Sequence, residues 1–104
     1  MAFKTLFLAH TPDADPDKNN CILETPKYKL FVRLVRGQKQ ALEVCKKLVK
    51  EEEIESILLC PGFTHRDIAE IAGAVDPNVG ISVARGDGPS GRISMEAMKK
   101  AGWF

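Results

Sequence analysis

Residues 41–72 read ALEVCKKLVKEEEIESILLCPGFTHRDIAEIA, and this run changes from a helical pattern to a strand pattern and back. Its first part has apolar residues three and four positions apart with charged residues between them, which predicts an amphipathic helix over 38–53. The segment ESILLC at 55–60 is typical of a buried strand. Thr64, with Asp67 three positions later, predicts the capped start of a second helix. A helix, a strand and a helix in this order are typical of an α/β protein.

Three further segments predict strands on either side of this run, at 3–10, 28–35 and 79–84. In the segment 28–35, apolar and charged residues alternate, so we expect a strand near an edge of the sheet with one wet face. The apolar face would carry Tyr28, Leu30, Val32 and Leu34, and the mixed face would carry Lys29, Phe31 and Arg33. Residues 21–25 are predicted to form only a brief extended segment, which Pro26 ends.

A third helix is predicted from a cap at Ser90 to about Ala101, where Gly102 ends it. With 104 residues, the chain is shorter than the roughly 150 residues typical of one domain, so we expect a single domain over 1–104. The predicted fold is α/β, a small sandwich with a mostly parallel four-stranded sheet and three helices. The connection after the first strand lacks a helical pattern, so that strand is either parallel or antiparallel to the next.

Composition places the chain among ordinary globular proteins. It is 44% hydrophobic and 28% charged, which argues against a disordered or fibrous chain. The net charge is only +1, and a dedicated nucleic-acid binder usually has a strong basic excess. No apolar run reaches the roughly 18 residues that span a membrane, and the start of the sequence lacks a signal-peptide pattern. We therefore expect a cytoplasmic protein that binds neither nucleic acid nor a membrane.

The cysteines and acidic residues indicate neither a disulfide framework nor a metal site. Cys21, Cys45 and Cys60 are odd in number and widely spaced, and no CxxC pair is present. Acidic residues between 13 and 24 follow part of the spacing of a calcium-binding EF-hand loop. Lys18 occupies the position that needs glycine, so we interpret this segment as a solvated loop. The sequence predicts no metal site, and it does not identify a cofactor.

Two loops, at 60–65 and 85–92, follow predicted strands and lead into predicted helices. Ligands of open α/β sheets bind beyond the carboxyl ends of the strands, and helix N-termini favour anions. The predicted ligand-binding residues are Gly62, Phe63, Thr64, Arg85, Gly86, Asp87, Ser90 and Arg92. The alternative is that the glycines serve tight turns and that Thr64 and Ser90 are helix caps. Neither loop matches a known nucleotide-binding motif.

The candidate catalytic residues are a cysteine and the two histidines of the chain, His10, Cys60 and His65. Cys60 lies between a strand end and a helix start, where the helix dipole and a nearby imidazole favour a thiolate. His10 joins the same edge of the sheet if the first strand is parallel, and either histidine could transfer a proton. The alternative, which holds for most free cysteines, is that Cys60 simply packs in the interior.

Several segments resemble a group of short prokaryotic proteins known only as a domain of unknown function. They are LFLAHTPDAD at 6–15, ETPKYKLFVRLV at 24–35, ALEVCKKLV at 41–49, ILLCPGFTH at 57–65 and VGISVARGDG at 79–88. Similar proteins tend to carry a Cys-Gly-Gly-Phe-like turn, and Pro61 departs from that pattern here. The resemblance covers most of the chain and implies no established activity.

Two functions from different classes remain open. The first is binding of a small anionic metabolite at the two strand-end loops, extending to enzymatic chemistry with histidine and cysteine. The second is a non-catalytic homo-oligomeric role as a structural or interaction protein. The segment 79–84 has one face of small residues, and Trp103 and Phe104 form an apolar end, so we expect surface that another subunit covers.

Overall fold

A computed structural model describes all 104 residues as one five-stranded sheet with three helices. The order of strands across the sheet is β2-β3-β1-β4-β5, and every neighbouring pair is parallel except β2 and β3. The α/β fold predicted from the sequence is therefore confirmed. The strands are β1 (Phe3–His10), β2 (Asn20–Glu24), β3 (Tyr28–Val35), β4 (Ser56–Leu59) and β5 (Gly80–Val83).

The strand β2 makes the sheet one strand larger than predicted. All five of its residues are exposed, and it is an edge strand that pairs only with β3. A tight turn joins the two strands, with backbone hydrogen bonds in both directions between Thr25 and Tyr28 at 2.8 and 3.3 Å. Such a strand depends on its partner rather than on its own apolar pattern. The direction of β1, which the sequence left open, is parallel to both β3 and β4.

The helices are α1 (Gln38–Glu52), α2 (His65–Ala74) and α3 (Gly88–Lys100). None of them combines the length and the apolar character needed to cross a bilayer. The predicted cap at Ser90 is wrong, because α3 begins three residues earlier than a Ser90 cap allows. Its N-cap is Asp87, and Pro89 lies in the first turn, where a fixed φ and a missing N–H are tolerated.

The end of α3 agrees with the sequence. Gly102 has a φ of +85°, the left-handed conformation that glycine adopts most easily after a helix. The Trp103 N–H donates to the Met98 carbonyl at 3.1 Å, and the Gly102 N–H donates to the Lys99 carbonyl at 3.1 Å. These two bonds satisfy carbonyls that the helix itself leaves free.

The hydrophobic core lies between one face of the sheet and helices α1 and α2. The three central strands, β3, β1 and β4, contribute buried residues from one face only, because successive side chains along a strand point to opposite faces. The largest fully buried side chains are Leu6, Leu8, Val35, Cys45, Ile57, Leu59 and Ile71. None of the buried core residues comes from α3. The core is therefore one-sided, and the second face of the sheet is not part of it.

We call this second face the open face, and its main apolar residues are Phe7, Leu23, Leu30, Val32, Leu34 and Leu58. Leu23 is 62% exposed, and the others are half-buried. In β3, the apolar face predicted from the sequence, with Tyr28, Leu30, Val32 and Leu34, is therefore the open face of the sheet. The covered face is the mixed one, where Phe31 is 4% exposed and the Lys29 ammonium lies 5.2 Å from its ring centroid. Long basic side chains reach water beyond the helices while their stems cover apolar surface.

The strand order places a topological switch point between the carboxyl ends of β1 and β4, and we call the space beyond these two strand ends the crevice. After β1 the chain turns toward β3, whereas after β4 it turns through α2 toward β5 on the other side. Where the connections that follow two neighbouring parallel strands lead to opposite sides, the two loops separate and leave room for a ligand. His10 is the last residue of β1, and Cys60 follows β4, so the fold brings two of the three candidate catalytic residues to this point.

Candidate functional site

Cys60 and His10 are in contact at the crevice. The Cys60 Sγ lies 3.8 Å from the His10 Nδ1, within the range of a sulfur hydrogen bond. The backbone fixes this approach, because the Cys60 N–H donates to the Leu8 carbonyl at 3.0 Å and so extends the pairing of β4 with β1. With Nδ1 unprotonated, the thiol donates to it; with Nδ1 protonated, the sulfur accepts. The pair is therefore arranged for proton exchange between thiol and imidazole.

Phe63 and Gly62 hold the imidazole in place. The rings of His10 and Phe63 stack with centroids 4.1 Å apart and planes 27° apart, and Phe63 is 5% exposed. A Cβ atom at Gly62 would lie 3.0 Å from His10 Nδ1 and 3.5 Å from Cys60 Sγ, so a larger residue there would press on the pair. Gly62 and Phe63 were predicted as ligand-binding residues, and in the structure both touch the candidate catalytic pair.

Burial lowers the pKa of His10 below its ordinary value of 6.5, and the negative charge of Asp67 opposes part of this shift. Desolvation disfavours the imidazolium ion, whereas a nearby carboxylate favours it. The lowered pKa keeps His10 neutral at pH 7. A neutral imidazole can accept the thiol proton, which is the state that a general base requires.

The N-terminus of α2 is already occupied by its own side chains. The Thr64 N–H donates to the Asp67 carboxylate at 3.0 Å, and the Asp67 N–H donates to the Thr64 hydroxyl at 3.1 Å. This reciprocal capping box satisfies two donors of the first turn and places a carboxylate where an external anion would bind. Thr64 therefore serves as a helix cap, and α2 offers an anion less than a free helix N-terminus would.

We expect Thr64→Ala to lower the free energy of unfolding by about 1 kcal/mol, because the Asp67 N–H loses its acceptor. Urea unfolding followed by circular dichroism measures this loss. Thr64→Ser keeps the hydroxyl and is expected to retain most of the stability. If the alanine and serine variants unfold at the same urea concentration as the wild type, the capping role is wrong.

The loop between β5 and α3 lies against the loop that follows β4. A Cβ atom at Gly86 would lie 3.0 Å from the Pro61 Cβ, so the two predicted ligand-binding loops are direct neighbours. The Arg85 side chain is 87% exposed, and its guanidinium lies 3.9 Å from the Asp87 carboxylate, which is 51% exposed. Arg85 thus carries an exposed guanidinium on the loop that lies next to Pro61.

The remaining residues predicted for the site are exposed residues of helices α2 and α3. Ser90 and Arg92 are exposed residues of α3, and His65 is exposed in the first turn of α2. No hydrogen bond or ring contact joins His65 to His10 or Cys60. Asp67 was recognised in the sequence only as part of the capping box. Its effect on His10 depends on the fold, because the two residues are 57 positions apart along the chain.

Two clefts lie elsewhere on the molecule. One, of about 400 Å³, lies between residues 15–17 and α1, and its charged residues are of both signs with Val44 as the only hydrophobic one. The other, of about 720 Å³, lies at the amino ends of the strands around Lys4 and Glu55, and half of its lining residues are hydrophobic. Small-molecule sites are mostly apolar with a few converging polar groups. The Cys60–His10 pair lies outside both clefts, and we assign the site by the chemistry of this pair and by its place beyond the carboxyl ends of parallel strands.

The acidic loop between β1 and β2 uses its carboxylates internally. The Asp13 carboxylate accepts from the Thr11 hydroxyl at 2.7 Å, and the Asp15 carboxylate accepts from the Asp17 N–H at 3.0 Å. Such bonds are typical of turn-rich loops. No group of three or more histidine, cysteine or acidic side chains is arranged to hold a metal ion.

Comparisons with known proteins identify a family but no activity. Searches of the curated proteins and of the solved structures found no match to the chain. The family described as a family of unknown function, DUF6506, matches residues 3–99. This range contains all five strands and almost all of α3, together with His10, Cys60 and Phe63. The chain therefore belongs to the DUF6506 family of unknown function.

Proposed function

We propose that the crevice between β1 and β4 binds a small anionic metabolite and that Cys60 and His10 carry thiol chemistry on it. The observation that supports this proposal is the 3.8 Å contact between Cys60 Sγ and His10 Nδ1. A cysteine activated by an adjacent imidazole is a common nucleophile in proteins. Its place beyond the carboxyl ends of parallel strands is where open α/β sheets bind ligands.

The simplest reaction of this pair is addition of the thiol to a carbonyl group. The thiol proton passes to the neutral His10 Nδ1, and Sγ forms a bond to the carbonyl carbon. The carbonyl π electrons move to the oxygen, which takes the proton back from the imidazolium, so the step balances without a further reactant. His65, in the first turn of α2, is a further candidate for proton transfer to a ligand that extends in that direction.

The anionic end of the ligand would lie on the side of the β5–α3 loop. Arg85 supplies an exposed guanidinium there, and charge-assisted bonds from arginine to a carboxylate or phosphate are strong and directional. The side chain of the N-cap residue Asp87 bonds to no N–H of α3, so the first turn keeps donors for a ligand. The Asp67 carboxylate occupies the start of α2, whereas the Asp87 carboxylate at the start of α3 lies 3.9 Å from the Arg85 guanidinium, which offsets its charge. We therefore assign Arg85, Gly86, Ser90 and Arg92 to the anion.

A protection experiment tests the site with controls inside the same molecule. The chain is screened against carboxylated and phosphorylated metabolites, including aldehydes and ketones, by thermal shift and by mass spectrometry of iodoacetamide labelling at each cysteine. A ligand of this crevice is expected to raise the melting temperature and to slow labelling of Cys60 while leaving the exposed Cys21 unaffected. If stabilising metabolites leave Cys60 labelling unchanged, the proposed site is wrong.

A homo-oligomeric role is the second candidate, and the open face of the sheet supports it. An α/β sheet is normally covered by helices on both faces, whereas the core here uses only one. A contiguous apolar surface is typical of a surface that a partner covers. The two functions are compatible, because a subunit interface on the open face leaves the crevice at the strand ends accessible.

We also propose that the chain works in the cytoplasm without a nucleic-acid partner. Its cysteines are all free, and Cys21 is exposed, which suits a reducing compartment. The net charge of +1 gives little attraction for a phosphate backbone. Cell fractionation of the tagged protein tests the location, and recovery in a periplasmic or membrane fraction would contradict it.

A further inference from the structure

Helix α3 is the one helix that buries no residue. Ile93 is 69% exposed and Met95 is 54% exposed, although both lie within an ordered helix that has a regular C-terminal cap. Ile93, Ala97 and Ala101 follow one another at intervals of four, with Met98 beside them, so they form an apolar side. Arg92 and Lys99 lie on the other side, and Lys100, seven positions after Ile93, borders the apolar side. An amphipathic helix gains most of its stability from packing its apolar side, and here that side has no partner within the chain.

The open face of the sheet is apolar as well, and no helix of the chain packs on it. Its leucines, valine and phenylalanine are half-buried or exposed and contact no helix of the core. One chain therefore carries an apolar sheet face without a helix and an apolar helix without a sheet. The molecule is also elongated, 41 Å along its longest axis against 26 and 23 Å, with a radius of gyration of 14.0 Å. A compact chain of this length has about 13 Å.

We propose that two copies of this chain form a symmetric dimer in which α3 of each packs on the open face of the other. This inference rests on the homo-oligomeric role proposed above and names the surface and its occupant. In a two-fold dimer every contact occurs twice, so a single association covers both helices and both sheet faces. The geometry fits, since α3 with 13 residues is about 20 Å long and β3 with eight residues is about 26 Å long.

Charge supports the same arrangement. With the apolar side of α3 on the sheet, Arg92 and Lys99 remain in water. Lys100 lies at the edge of that side near the helix end, where its long stem lets the ammonium group reach water. The open face itself presents no lysine, arginine or acidic residue at the centre, where β3 and β1 pair through Leu30, Val32 and Leu34 with Thr5, Phe7 and Ala9. The dimer thus buries no unpaired charge, which would be costly. Its layers become helix, sheet and helix, as in most α/β proteins.

Sedimentation velocity at micromolar concentration tests this dimer with two pairs of matched variants. Ile93→Glu places a charge on the apolar side of α3, and Lys99→Glu places the same residue on its polar side. Leu23→Glu alters the open face, and Ile22→Glu alters the neighbouring residue of β2, which points to the opposite face and is 53% exposed. We expect Ile93→Glu and Leu23→Glu each to weaken dimerisation by about tenfold or more. The two controls are expected to dimerise as the wild type does.

All four positions are exposed in the single chain, so the variants are expected to keep the circular dichroism and the melting behaviour of a folded monomer. A wild type that sediments as a monomer would overturn both this inference and the homo-oligomeric role. A dimer that survives Ile93→Glu and Leu23→Glu unchanged would overturn only the packing of α3 on the open face. In that case the homo-oligomeric role would stand on another surface.

Discussion

Ile57→Ala is expected to lower the free energy of unfolding by about 3 kcal/mol, whereas Leu58→Ala is expected to cost only about 1 kcal/mol in the monomer. The two residues are neighbours in β4 and point to opposite faces. Ile57 is fully buried between Leu6 and Ile81 under the helices. Leu58 lies on the open face beside Phe7 and Ser82 and is half-buried. Urea unfolding of both variants measures the difference directly.

The two losses of stability differ because only Ile57→Ala leaves a cavity in the core. Shortening Ile57 removes apolar contacts and leaves a void that the close-packed core fills only in part. Shortening Leu58 exposes its neighbours to water that is already present, so only part of its transfer free energy is lost. The free energy of unfolding of a small domain is about 5–15 kcal/mol in total. Ile57→Ala therefore loses a large share of the stability, and Leu58→Ala does not.

Protein concentration turns the same pair of variants into a test of the dimer. At concentrations where the chain is monomeric, the two losses should differ as stated. Where the dimer forms, α3 of the partner covers Leu58, and Leu58→Ala should become more costly because stability then includes association. Equal losses at the two positions in the monomer would contradict a core confined to one face of the sheet.

The sequence was sufficient to predict the helices and the central strands of the fold, but not which face of the sheet the helices cover. The helical spacing from Ala41 to Val49 and the buried pattern of 55–60 depend on local periodicity, and both are confirmed. β3 shows the limit of this reasoning. Alternation in β3 separates two faces, but it does not tell which face the helices cover, and the covered face is the one that carries Lys29 and Arg33 beside the buried Phe31. The long stems of these residues allow a charged residue to border a buried face.

The candidate site, too, was predictable from the sequence only in part. The rule that ligands bind at strand ends brought His10 and Cys60 into one hypothesis, and the parallel direction of β1 places them in contact. Three features of the site could not be predicted, because each depends on residues distant in the sequence. They are the stacking of Phe63 on His10, the charge of Asp67 near that ring, and the contact of Gly86 with Pro61. Whether these residues act on a ligand stays a prediction.

His10→Gln is expected to lower the rate of Cys60 alkylation by about tenfold or more at pH 7, because glutamine fills similar space but accepts no proton from the thiol. Iodoacetamide labelling with mass spectrometry reports each cysteine separately. Cys21 is exposed and lies on the far edge strand, so its rate should not change and serves as the internal reference. Cys45 should remain unlabelled at pH 7, since burial raises the pKa of its thiol to about 12.

The pH dependence of the same measurement identifies the imidazole as the base. Because burial lowers the pKa of His10 below 6.5, the ring is neutral at pH 7. It becomes protonated only as the pH falls through this lowered pKa. The ratio of the Cys60 rate to the Cys21 rate should therefore be high at pH 7 and fall on acidification, since an imidazolium cannot accept the thiol proton. In His10→Gln the ratio should be low and independent of pH over this range. If wild type and variant give the same ratio throughout, the 3.8 Å contact is a packing contact alone, and the thiol chemistry proposed for the crevice is wrong.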